Sequence, residues 1–370
     1  NTATYLPACD GGGFETNCGG GGIHIEGAAT LTMTAPQIVV ESNFANHSYG
    51  GGIQIIGPAS ANIGSPGFNG TAVIYANEAL YGGGIAMRGG DITLSGTSLP
   101  AGIEQNSATY NGGGLYLAGP SLSFSASNYH IDHNGAREGS AIYSEPGASG
   151  ALTLGNSACS DDECNTVSYN HNSKTNNVPD GSIIKTASGI YLDFSVDGLH
   201  MRFNDGSHLM DLSGPSSVQD SLFVDNQASG QLLYNSYGTG AQGATWTRCT
   251  VAHNLIGNSQ FGPWPVFAFN GALKIFDSII SQPDHPAVAS AGGGLNFSAS
   301  TILANDIDGL TSGTPIQADP AFVDAENGDF HLLARRVNGV AQYSPAVDAV
   351  YGIASGFDVD HRPRAQDIDG

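Results

Sequence analysis

Apolar and polar residues alternate with a period of two in many short stretches of this chain. "IQII" at 53–56, "IAMR" at 85–88, "LYLA" at 115–118, "LSFSAS" at 122–127 and "LTLG" at 152–155 all follow it. A period of two sends successive side chains to opposite faces of a strand. Helical periodicity of any length is nearly absent, and "DPAFVDAEN" at 319–327 offers the one short candidate helix. Three of the strand-like stretches follow glycine triplets, at 50–52, 82–84 and 112–114. Such a triplet is expected to be a tight corner, since glycine permits positive φ and lets neighbouring backbones approach closely.

A longer period lies over the alternation. A four-residue unit ending in asparagine recurs at Asn46, Asn77, Asn106, Asn134, Asn170, Asn204, Asn226, Asn254 and Asn305. Successive copies are 22 to 36 residues apart, except for a last gap of about two periods in which "SIIS" at 278–281 is a degenerate copy. A helical repeat holds its length nearly constant, whereas a coil with a fixed bend and variable loops gives this drift. The expectation is an all-β, single-stranded right-handed parallel β-helix (solenoid) of about ten coils, with two or three strands per coil. Stacking at roughly 4.8 Å per coil makes it a rod on the order of 50 Å long. Residues 1–18 read as a disulfide-closed N-terminal entry segment, 19–315 as the coils and 316–370 as a C-terminal capping section over the open end. The asparagines are expected to occupy the left-handed bends and to hydrogen-bond from coil to coil. A functional row of exposed asparagines is the rival reading.

Composition narrows the function classes. The formal net charge is −22, from 33 acidic and 11 basic residues, and the lysines are Lys174, Lys185 and Lys274 alone. So acidic a surface argues against nucleic acid and anionic membrane as partners. It is compatible with divalent cations such as Ca²⁺ or with a protein that stays soluble outside the cell; by analogy with other β-helices, the expected partner there is an extracellular polysaccharide or a cell-surface glycan. No run of 18 or more apolar residues occurs, so no transmembrane segment is expected in this chain. No signal peptide is visible, and an exported chain would be the processed form. Cys9 and Cys18, and Cys159 and Cys164, close short loops and read as two local disulfides in a secreted or cell-surface protein. Metal thiolates are the sharper alternative, but the C-x-x-C spacing is missing. Cys249 reads as a buried thiol.

Two parts of the chain resemble known families. The pairing of an "FxxN"-like unit with "GGxI", as from Asn77 to Ile85, is similar to the repeats of chlamydial polymorphic outer-membrane proteins, over roughly residues 19–145. "DPAFVDAENGDFHL" at 319–332, "SPAVDA" at 344–349 and "DVDHRPRAQDIDG" at 358–370 look like the end of bacterial surface β-helix proteins of the choice-of-anchor Q type. The family's aspartate–glycine pair before Arg-Pro is replaced here by His361, and its Gly-Ala-Tyr after the last Asp-Ile is absent. The resemblance implies an exported, surface-anchored or released bacterial β-helix and no defined reaction.

Candidate chemistry follows from aligning the coils on the asparagine. If the position three before it points inward, those two and four before it point outward, which lines up His130 with Asp132 and His200 with Arg202; Arg248 projects nearby. A lyase acting on uronic-acid polymers needs a base, a cation to neutralise the carboxylate, and often Ca²⁺. His200, Arg202 and Arg248 offer base and neutralisers, with His130 and Asp132 beside them. A glycoside hydrolase would instead pair two carboxylates, such as Asp132 with Asp205 or Glu138. Asp205, His208, Trp246, Trp264 and Tyr237 are candidate substrate contacts. The acidic loops holding Asp161, Asp162 and Glu163, and Asp358 and Asp360, are candidate Ca²⁺ sites. The leading expectation is glycan binding or adhesion through a lateral sheet face. The alternatives are a polysaccharide lyase or hydrolase, and a non-catalytic structural stalk.

Overall fold

The computed structural model describes residues 21–35, 37–64, 71–96, 101–155, 165–175, 178–179, 181–186, 192–235, 243–259, 262–290, 294–298, 301–303, 314–337 and 340–346. They form an all-β parallel solenoid, with long parallel sheets stacked in register. Each full coil holds four strand segments, more than the two or three expected. In one turn these are Thr71–Tyr75, Glu78–Tyr81 and Ile85–Ser95, the last running through a corner and serving two ladders. Two such continuous strands, Ile85–Ser95 and Leu115–Ser127, fuse those two ladders into one sheet of 18 strands. The sheet that precedes the asparagines has 11 strands and the short sheet that follows them has 8. Cys9, Cys18, Cys159 and Cys164, Asn305 and residues 1–18 lie outside the described residues.

The core is built from like residues stacked on like. Ile74, Ile103, Ile131, Val167, Met201, Phe223, Val251 and Ile280 follow one another in register. All are 1% exposed or less, as the inward assignment requires. Each such side chain contributes about 1.5–3 kcal/mol.

The asparagine corner differs from the expectation in one respect. The left-handed residue is the one before the asparagine: Ala76, Gln105, His133, Tyr169, Phe203, Asp225 and His253 have φ between 51° and 56°. This backbone turn aims the following amide into the coil. The Oδ1 of Asn134 accepts from the backbone N–H (3.0 Å) and the Nδ2 (3.1 Å) of Asn106, and its own Nδ2 donates to the Ile103 carbonyl at 2.8 Å. The same bonds recur through Asn77, Asn106, Asn170, Asn204, Asn226 and Asn254. Asn43 heads the ladder, bonding to Asn77, and follows Ser42 at φ 55°. Asn46, the first copy by sequence spacing, lies instead on the strand Phe44–Tyr49. Gln282, just after "SIIS", ends it by accepting the Asn254 N–H and donating to the Asn254 carbonyl. From Asn77 to Gln282 these amides are buried, so the exposed-row reading falls.

The glycine triplets are corners, as expected. Gly82 has φ 66°. A Cβ on Gly83 would lie 2.4 Å from the Ser107 carbonyl oxygen, and one on Gly84 2.7 Å from that of Gly114. The first glycine sets the turn and the other two let the next coil's backbone approach.

"DPAFVDAEN" is not a helix beyond the single 3₁₀ turn Ala325–Asn327, which joins the strands Phe322–Asp324 and Asp329–Leu332. After Ile316–Gln317 extends the asparagine sheet by its last strand, this hairpin lies on the sheet's outer face. There Phe330 packs on Leu222, Val224 and Ala252. Two other antiparallel hairpins leave the coils, Lys174–Thr175 with Val178–Pro179 and Asn258–Ser259 with Gly262–Pro263.

Candidate functional site

The strip predicted on the asparagine sheet comes together only in part. His130 and Asp132 share the strand Tyr129–Asp132, with Nδ1 and Oδ2 3.8 Å apart. One Asp132 carboxylate oxygen accepts the Ser168 N–H at 2.9 Å and the Thr166 hydroxyl at 3.3 Å. Burial pushes the Asp132 carboxyl up to about 6, while His130 and the two hydrogen bonds oppose the shift and Glu104 adds to it. Glu104 is its register neighbour on the preceding strand.

The other members diverge. His200 stands in register two strands beyond His130, with Thr166 between, but is only 4% exposed, so no substrate reaches its ring. Arg202 is likewise two strands from Asp132, roughly 10 Å away by strand spacing. Arg248 sits in a left-handed corner at φ 54° and forks onto Asp220, with Nε–Oδ1 2.7 Å and Nη2–Oδ2 2.6 Å. That hydrogen-bonded pair raises the guanidinium's pKa. Arg248 braces two stacked corners and is not presented as a neutraliser for substrate. Beyond Arg202 the outer rows become Leu222, Val224, Thr250 and Ala252, all buried, three of them in the cluster with Phe330.

The predicted substrate contacts scatter. Trp246 is 1% exposed in the core between Phe223 and Phe267, which corrects its reading as a sugar platform. Trp264 is partly buried against the core, and its carbonyl accepts from His285 Nδ1 at 2.9 Å. Asp205 lies on the short sheet, paired with His171 and Gln227, away from the Asp132 strip. Tyr237 and the acidic Asp161, Asp162, Glu163, Asp358 and Asp360 lie outside the described residues. Among the described residues no group of three or more His, Cys, Asp or Glu could hold a metal ion, and no helix is long and apolar enough to cross a membrane.

A second outward column escaped sequence reading. It passes through His24, Gln54, Ala86, Tyr116, Tyr143, Lys185, Asp211 and Tyr234, each in register with the next, and Gln54, Ala86 and Tyr116 are themselves fully buried. Beside Tyr116 gather Tyr49 and Tyr81, with ring centroids at 5.5 and 5.3 Å, and Tyr143 at 5.9 Å. Tyr110 tilts 32° from Tyr81 and is 41% exposed, and the Arg88 guanidinium lies 5.1 Å above the Tyr49 ring centre. Lys185 Nζ is 3.0 Å from Glu138 and 3.8 Å from Asp211. Burial pushes the Tyr143 phenol up to about 12, helped by the charges of Glu138, Glu145 and Asp211. Burial, with Glu145 beside it, drives Tyr116 further still. His208 stacks on Tyr234 at 5.2 Å, and its ring nitrogens meet Gln231 Oε1 at 2.9 Å and the Ser207 hydroxyl at 3.1 Å. Burial lowers its pKa and favours the neutral ring.

Aligning the coils on the glycine corner instead of the asparagine finds this column. In "GGGIA", "GGGLY" and "GSAIY" the fifth residue is the outward one, and the row then continues to Lys185, Asp211 and Tyr234. Compared with protein-family models, with curated proteins and with solved structures, the chain finds no match in any of the three.

Proposed function

We propose that this is an exported, surface-associated bacterial protein that binds extracellular glycan through its lateral face, in recognition or adhesion. The carrying observation is the register-locked column Tyr143–Lys185–Asp211–Tyr234, with Tyr49, Tyr81, Tyr110 and Arg88 gathered over the buried Tyr116 at its head. The core does not require aromatic rings on the outside of a solenoid. Rings that pack against sugar C–H groups, set among carboxylates and amides that bond hydroxyls, are the chemistry of carbohydrate recognition. A repeating ligand fits a repeating surface, because contacts recur at each coil step. The acidic balance and the resemblance of the repeats and C-terminal stretches to surface β-helices support the exported setting. The test is calorimetric titration with soluble glycan oligomers: Tyr110→Ala should weaken binding at unchanged thermal stability, and equal affinity would contradict the reading.

A second reading, hydrolysis of a bound polymer, is favoured by Asp132, whose carboxyl at about 6 suits proton donation near neutrality. Glu104, one strand away, would be its partner. Release of reducing ends that disappears in Asp132→Asn would establish it, and no release by the wild type would remove it.

A further inference from the structure

The two hairpins leave the coils at the same corner. Lys174–Thr175 and Val178–Pro179 lie between the short strand His171–Asn172 and Ser182–Thr186; Asn258–Ser259 and Gly262–Pro263 lie between Leu255–Ile256 and Phe267–Phe269. From His171 through Asp205 and Gln227 to Leu255 is three steps of register, roughly 14 Å of rod. The two coils between turn this corner without an excursion, at 206–208 and 228–232. Between these two hairpins the outward column runs from Lys185 through Asp211 and Tyr234 to Ala268.

We propose that this stretch of the column is the principal sugar subsite and that it takes a sugar unit without acid groups, neutral or amino, while rejecting uronates. This deepens the glycan-binding reading and rests on it. Tyr234 has His208 stacked toward the preceding coil. On the other side the column continues with Ala268 and Ala289, which are too small to cover its ring. Among the described residues, that leaves a ring face for sugar C–H groups. Glu138, Asp211 and Gln231 supply oxygens to accept from hydroxyl or ammonium groups. Lys185 is the cation a uronate would seek, but it is already held by Glu138 and Asp211, the latter side chain 12% exposed. A uronate would meet two carboxylates against one ammonium, on a chain of net charge −22.

The test titrates the full chain with cellohexaose, a chitosan hexamer and an oligogalacturonate hexamer, with unfolding midpoints as a check on folding. The wild type should bind cellohexaose or the chitosan hexamer at least about tenfold more tightly than oligogalacturonate. Tyr234→Ala should lose about tenfold on the preferred probe. Asp211→Asn, which releases Lys185 from one of its two carboxylates, should raise oligogalacturonate affinity. Oligogalacturonate binding as tightly as the other probes to the wild type overturns the proposal. So does retention of binding in Tyr234→Ala when Tyr110→Ala loses it, an outcome that leaves glycan binding standing and moves the subsite. Failure of all three probes to bind overturns both the subsite and the reading beneath it.

Discussion

The asparagine corner and the glycine corner turn the same chain by opposite means. At the first, a residue of almost any type goes left-handed, and the next side chain, a buried amide, ties three coils together. At the second, side chains are absent, and backbone from the next coil occupies the space a Cβ would fill. One corner is held by what a residue adds and the other by what it lacks, so the two should fail differently. Loss of an amide leaves unmet hydrogen bonds in an otherwise intact coil. A side chain gained at glycine forces backbones apart.

The largest effect should come at the glycine corner. In Gly83→Val the new Cβ meets backbone oxygens of Ser107 at 2.4 Å and Gly113 at 2.6 Å, neither of which can move without shifting a coil. A loss of more than about 4 kcal/mol is expected by denaturant unfolding. Gly27→Ala sharpens the point: φ is 72° but nothing lies within 4 Å, so the cost should be about 1 kcal/mol. Equal losses would sink the close-approach account.

Next comes the amide ladder. Asn134→Ala removes the acceptor for the N–H and Nδ2 of Asn106 and the donor to the Ile103 carbonyl. Burial makes these groups costly to leave unmet, and about 2–4 kcal/mol should be lost. Asn134→Asp keeps the acceptor but buries a carboxylate against the Ile103 and Asn170 oxygens that Nδ2 served, and should cost at least as much.

The last effect depends on pH. Asp132 is raised in the fold to about 6 from an ordinary carboxylate value, so the folded state holds its proton more tightly than the unfolded chain. Its favourable contribution is complete below pH about 4 and is lost as pH rises through about 6. Asp132→Asn can retain the acceptor for Ser168, so it should stabilise the protein at pH 7–8, on the order of 2 kcal/mol, and make no difference near pH 4. A variant less stable at pH 8 than the wild type would contradict the burial argument.

How much the sequence disclosed follows the same division. The solenoid was legible because the strand alternation and the recurring asparagine each report a backbone constraint repeated along the chain. The left-handed residue was not, since Ala76, Gln105, His133, Tyr169 and Phe203 share no side-chain property. "NFAN" offers two asparagines, and only the bend after Ser42 selects Asn43 over Asn46. Trp246 could have been placed from "ATWT": the alternation that buries Ala244 also buries Trp246, in register with Val218 and Ile275. The Tyr143–Lys185–Asp211–Tyr234 column was hidden because the triplets end at Gly114; the next corner is Gly139-Ser140-Ala141, and the alignment marker fades where the chemistry begins.

The central claim is that the corners carry the architecture while the outward column carries recognition. It is tested most directly by measuring unfolding free energy and glycan affinity side by side in Asn134→Ala and Tyr234→Ala. Asn134→Ala should lose stability and, while folded, keep wild-type affinity; Tyr234→Ala should keep stability and lose about tenfold in affinity. If Asn134→Ala weakens binding while still fully folded, or Tyr234→Ala destabilises the rod as much as it weakens binding, the division between corner and column is wrong.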